Sequence, residues 1–188
     1  MQFRLVYEGS IAPRQKIKLL DLHSIRTALH LQMKALWQFP PLQGHCETWL
    51  RHLSKDDTDT YALYEQRGAA IFVPLISKRN DLTCELDITF LRQQAAGQLL
   101  GDGGDIDNRV KTLFDALSVP PNAQSAAFAD GPSQPIFCLL QDDSLVTKIS
   151  VETDRLLRPA EGVFDLVAII KVHVRASRVT LGTIALMG

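Results

Sequence analysis

The amino-acid sequence predicts an α+β domain, a mixed β-sheet with helices packed against it, and three observations predict it. Leu82, Cys84, Leu86, Ile88 and Phe90 alternate with Thr83, Glu85, Asp87 and Thr89, which is the period of a half-buried strand. Val110, Leu113, Phe114 and Leu117 fall at i, i+3, i+4 and i+7, one apolar stripe along a helix. Strand-like segments stand before and after that helix without forming an alternating βαβ series. At 188 residues and 46% hydrophobic content, one domain over residues 1–188 can bury a full core.

In chain order, residues 2–8 alternate as a strand that Gly9, Ser10 and Pro13 end. From Asp21, the positions Leu22, Ile25, Leu29, Met33 and Leu36 keep helical spacing until Pro40 and Pro41 stop the run. A shorter helix over residues 47–53 buries Trp49, Leu50 and Leu53 and gives way to the polar loop SKDDTDT. Residues 69–76 form a strand whose second half Pro74 marks as an edge. Asn80 and Asp81 make a turn, so this strand and the one from Leu82 are expected to pair as a hairpin. A glycine-rich loop then covers residues 93–104, and a second long loop runs over 119–135. The segments 136–140, 145–153 and 163–174 complete the strands, and the last residues carry no clear signal.

The net charge of −1 argues against a surface built wholly for nucleic acid. The distribution is less even, because residues 1–55 hold eight Lys or Arg against three acids while the remainder holds twelve against eighteen. Phosphates, if the chain meets them, meet this first segment. No long apolar stretch and no secretory pattern is present, which predicts a cytoplasmic chain without a membrane partner. Cys46, Cys84 and Cys138 are widely spaced, as suits a reducing compartment. His45, Cys46 and His52 lack the fourth ligand of a zinc site, and DGGDID lacks the pattern of an EF-hand.

Residues 104–117, GDIDNRVKTLFDAL, carry the chemistry. Asp105 and Asp107 stand two apart, so on an extended segment both carboxylates point to one side. Asp107 or Asn108 can cap the helix that follows, and Lys111 lies one turn on from Asp107. Clustered carboxylate oxygens are the donors that Mg²⁺ prefers, and Asp142 and Asp143 can supply a third acid. The plainer reading of Asp105 and Asp107 is turn and cap chemistry. Asp142 reads best as a turn acid, and Asp115 is expected to pair with Lys111. Glu85 and Asp87 read as solvated strand residues that could also reach a metal.

The pattern D-x-D-N-x-x-K-x-x-x-D-A-L, followed by D-D-x-x-V, reads here as Asp105, Asp107, Asn108, Lys111, Asp115, Ala116, Leu117, Asp142, Asp143 and Val146. It resembles the RusA family of Holliday-junction resolvases, over about a quarter of the chain. The resemblance implies a RusA-like α+β fold with residues 1–68 partly an N-terminal elaboration, and a homodimer that binds four-way or other branched DNA and cuts it with Mg²⁺ or Mn²⁺. It further implies that Asp105, Asp107 and Asp143 hold the metal and that Lys111, with Asp107, is catalytic. Members often carry a run of arginines before the first aspartate, where this chain has QLLGDGG, and their second loop is shorter. A RusA-like module that binds nucleic acid or protein with little nuclease activity is therefore the alternative. A third reading is an enzyme that uses D-x-D for a metal and a nucleotide diphosphate.

Overall fold

The computed structural model describes residues 1–50, 62–93, 106–121, 135–159, 161–162 and 164–186. Two mixed sheets share one core. The larger has the strand order β1-β7-β4-β6, with β1 Gln2–Ser10, β4 Leu82–Arg92, β6 Val146–Arg155 and β7 Asp165–Ala176. Its β1/β7 and β4/β7 pairs are antiparallel and its β4/β6 pair is parallel. The smaller, β2-β3-β5, joins β2 Glu65–Arg67, β3 Ala70–Ile76 and β5 Ile136–Leu140. The helices are α1 Leu19–Leu36, the short α2 Cys46–Trp49, α3 Ile106–Leu117 and a C-terminal turn of helix, Leu181–Ile184.

The alternation of β4 becomes a buried row, Leu82, Cys84, Leu86, Ile88 and Phe90, which meets the buried row of β7 from Leu166 to Val174. Each strand thus gives one whole face to the core, where removal of apolar surface from water is the main stabilising term. Leu22, Ile25, Leu29 and Met33 place α1 on that core, and Leu113, Ala116 and Leu117 do the same for α3. Residues from both sheets and from α1 to α3 belong to this cluster, and β1 is a full strand of the larger sheet.

The expected hairpin between the third and fourth strands does not form. Ser77 accepts a hydrogen bond from the Arg79 amide, and the Ser77 amide donates to Asn80 Oδ1, closing a tight turn over Lys78–Asn80. Asp81 then takes the left-handed conformation at φ 53°, and the chain leaves for the other sheet. β3 pairs instead with β5 in parallel and, over Ala70–Phe72 alone, with β2. The half of β3 that carries Pro74 therefore has a neighbour on one side, which a strand residue lacking an N–H requires.

α2 ends at Trp49, short of the expected residue 53, and residues 51–61 lie outside the described ones. The same holds for most of the loops expected at 93–104 and 119–135. No helix among the described residues is long and apolar enough to cross a membrane. The three cysteines are free, and burial pushes the Cys84 and Cys138 thiols up to about 12.

His30 ties α1 to β5. Its Nδ1 accepts a hydrogen bond from the Phe137 amide at 2.8 Å while the ring stacks on Phe137. Burial, and then the Lys34 ammonium, lower its pKa below the usual 6.5. A base whose folded pKa is depressed contributes stability above its unfolded pKa, and that stability is lost as pH falls through the folded value. Urea midpoints are therefore expected to drop as pH falls below about 6.5, and His30→Leu should be less stable at neutral pH yet show a shallower acid loss. An equally steep profile in the variant would remove His30 as the titrating group.

Candidate functional site

α3 positions the residues of the acidic motif. It begins at Ile106, so Asp107 stands in its first turn rather than at the cap. A carboxylate there interacts favourably with the exposed N–H groups of the helix start. Asp107 Oδ2 forms an ion pair with Lys111 Nζ one turn on, with the two side chains 57% and 49% exposed. Asp105 lies outside the described residues. Asn108 is inside the helix, and its carbonyl accepts the Arg14 amide and the Thr112 hydroxyl.

At about 100° per residue, Asp107, Lys111 and Phe114 share one face of α3. Asp143 approaches that face. It opens a turn of 3-10 helix, Asp143–Leu145, and lines a groove of about 240 Å³ with Phe114, Thr147 and Lys148. Asp142 has the expected turn role, accepting the Ser144 amide at 2.9 Å. Its carboxyl is held below the usual range by the Ser144 hydrogen bonds. Phe114 lies about 10 Å along the axis from Asp107, although its side chain leans back toward the helix N-terminus. Among the described residues, no three His, Cys, Asp or Glu side chains form a metal-holding group. The donors present, exposed carboxylates without a competing thiol, are of the type that suits a hard divalent cation.

Asp115 does not pair with Lys111. Both its oxygens engage Arg14, at 2.9 and 3.3 Å, across 101 residues. Burial raises its pKa, and the Asp143 charge adds to that rise against the opposing pull of Arg14 and Arg26. Asp143 and Asp115 are therefore electrostatic neighbours.

Three arginines escaped the motif. Arg26 is 1% exposed, and its Nη2 donates to the Asp115 carbonyl at 2.6 Å. That carbonyl belongs to the last turn of α3, where no intrahelical amide is available to it. Arg109, also 1% exposed, donates to the Phe164 carbonyl and lies 5.5 Å from the centre of the Phe164 ring. Burial lowers its pKa, and the nearby Arg92 lowers it further. Arg92 is 3% exposed and ends the buried row of β4. The first turn of α3 is thus held to Phe164 by the buried Arg109, with the buried Arg92 charge nearby.

Glu85 and Asp87 lie on the β4 face opposite that buried row and so point away from α3. They pair with Arg175 and His173 across the sheet, and Arg175 holds the Glu85 carboxyl below its usual range. Neither reaches toward Asp107. His45 stacks on Trp49 and the Cys46 thiol donates to the Trp37 carbonyl, while His52 lies outside the described residues. No protein-family model, curated protein or solved structure matches the chain.

Proposed function

We propose that the chain is a metal-dependent endonuclease that hydrolyses phosphodiester bonds in Holliday junctions or other branched DNA, with a RusA-like fold and acting as a homodimer. The observation that carries this reading is the exposed Asp107–Lys111 pair on the helix face that Asp143 approaches. Asp105, Asp107 and Asp143 would hold Mg²⁺ or Mn²⁺. Such an ion supplies Lewis acidity toward a phosphoryl oxygen and a bound water of lowered pKa.

The chain's own groups have separate tasks. Lys111 sets a fixed ammonium beside the acids, where negative charge grows on the phosphate oxygens. Asp107 orients that ammonium through their ion pair. Arg14 neutralises Asp115, so the helix face carries less repulsion toward an incoming phosphate. Two symmetric copies would present two such faces to two strands of a junction.

The test is cleavage of a synthetic four-way junction with Mg²⁺ or Mn²⁺ by wild type and by Asp107→Asn. Cutting by the wild type with a loss of about 100-fold or more in the variant is expected. Equal rates, or no cutting by either protein, would count against the reading. Within the basic first segment Arg26 is buried and Arg14 is paired, which leaves fewer cations for DNA and favours, as the alternative, a module that binds protein with little nuclease activity. A junction neither cut nor bound in a salt-sensitive way would select that alternative, whereas salt-sensitive junction binding without cutting would select a nucleic-acid-binding module.

A further inference from the structure

A second convergence of chemistry lies between the β3–β4 turn, α2 and the C-terminal helical turn. It is a cavity of about 560 Å³ whose walls include His45, Trp49, Arg79, Asp81, Arg178 and Thr180. That volume is within the range of small-ligand sites. We infer that this cavity binds a nucleoside monophosphate.

Each part of such a ligand has a counterpart in the wall. Arg79 and Arg178 come from separate segments, and paired guanidinium forks match the oxygens of a phosphate. Arg79 commits Nη1 to the Ala62 carbonyl at 2.8 Å, which fixes the side chain and leaves its other donors. Arg178 has no carboxylate partner among the described residues.

His45 lies nearly parallel to Trp49, with centroids 4.4 Å apart and planes 16° apart. The half-buried imidazole is a flat ring on the cavity wall on which a base can stack, and burial lowers its pKa and so disfavours its charge. Asp81 supplies the acceptor that sugar hydroxyls need. Its backbone is held by hydrogen bonds from the Ser177 amide and hydroxyl to its carbonyl, at 2.8 and 2.9 Å. A bare inorganic anion would have no use for the stacked rings or the carboxylate. A purely apolar ligand would make no use of the two guanidiniums on the wall. The inference is independent of the acidic motif on α3.

The experiment is calorimetric titration of the full chain, without divalent cations, against AMP, GMP, CMP, UMP, 2′-deoxy-AMP and inorganic phosphate. At least one ribonucleotide should saturate a single site and bind about tenfold or more tightly than phosphate alone. Arg178→Gln, an exposed change, should weaken that binding about tenfold. Asp81→Asn keeps a residue that tolerates the left-handed backbone and should reduce any preference for the ribo over the deoxy form. Asp107→Asn should leave affinity unchanged, which separates this site from the α3 acids. The inference is overturned by the absence of saturable heat at millimolar nucleotide, by phosphate binding as well as nucleotides do, or by binding that Arg178→Gln spares or Asp107→Asn abolishes.

Discussion

Lys111→Met is expected to slow single-turnover cleavage of a four-way junction about 100- to 1,000-fold, the usual loss when one transition-state charge partner is removed. Stability should hardly move. The Asp107–Lys111 pair is about half exposed on both sides, and such pairs contribute roughly 0.3–0.5 kcal/mol to a helix. Methionine keeps most of the aliphatic stem and has a helix propensity close to that of lysine. A large catalytic loss with an unchanged denaturant midpoint therefore cannot come from unfolding. Asp143→Asn gives a second arm, because Asp143 is exposed and stands on a separate element that reaches the same helix face. Cleavage by Lys111→Met within about twofold of wild type would reduce the pair to an ordinary surface contact of α3. The chemistry proposed for the acids would then lack its cation.

Periodicity told which faces are buried, and it did so reliably where one period dominates. The strict alternation of β4 and the stripe of α1 appear in the structure, although Leu36 at the end of α1 is only half-buried and His23 and Arg26 are buried beside the stripe. Partners were harder to read, because a buried face does not specify the strand beside it. Asn80 and Asp81 did mark a turn, yet the Ser77 cap and the left-handed Asp81 direct β4 into the other sheet. The misassigned pair on α3 has a reason that sequence could have supplied. Lys111 has an aspartate four residues to either side, and an acid N-terminal to its base is the better orientation along a helix. Asp107 meets that condition, and Asp115 is left to Arg14. Arg92 also left a trace, as a charged residue on the buried side of an alternating row. Arg26, four after Leu22 and three before Leu29, and Arg109, four before Leu113, left the same kind of trace on their helical stripes, but the carbonyls that accept from them are brought in by the fold.

Arg26→Ala is expected to destabilise the chain by about 3–5 kcal/mol, and Arg26→Met by about 1–3 kcal/mol. The two values separate two roles of one side chain. Alanine removes the stem, which fills space between α1, α3 and β5, and leaves a cavity of the kind that costs several kcal/mol in a close-packed interior. Methionine retains most of that volume and removes the guanidinium, so its cost is that of the unmade hydrogen bonds. One of these caps the Asp115 carbonyl in the last turn of α3, and the other joins Arg26 Nη1 to His23 Nδ1 at 2.9 Å. Against this, burial already disfavours the charge, as the lowered pKa of Arg26 records, and a well-packed apolar replacement can recover that desolvation. Urea unfolding of both variants distinguishes the contributions. A methionine variant as stable as wild type would show that desolvation cancels the capping bond, and Arg26 would then serve to place the end of α3 rather than to stabilise it. An alanine variant within about 1 kcal/mol of wild type would remove the packing role as well.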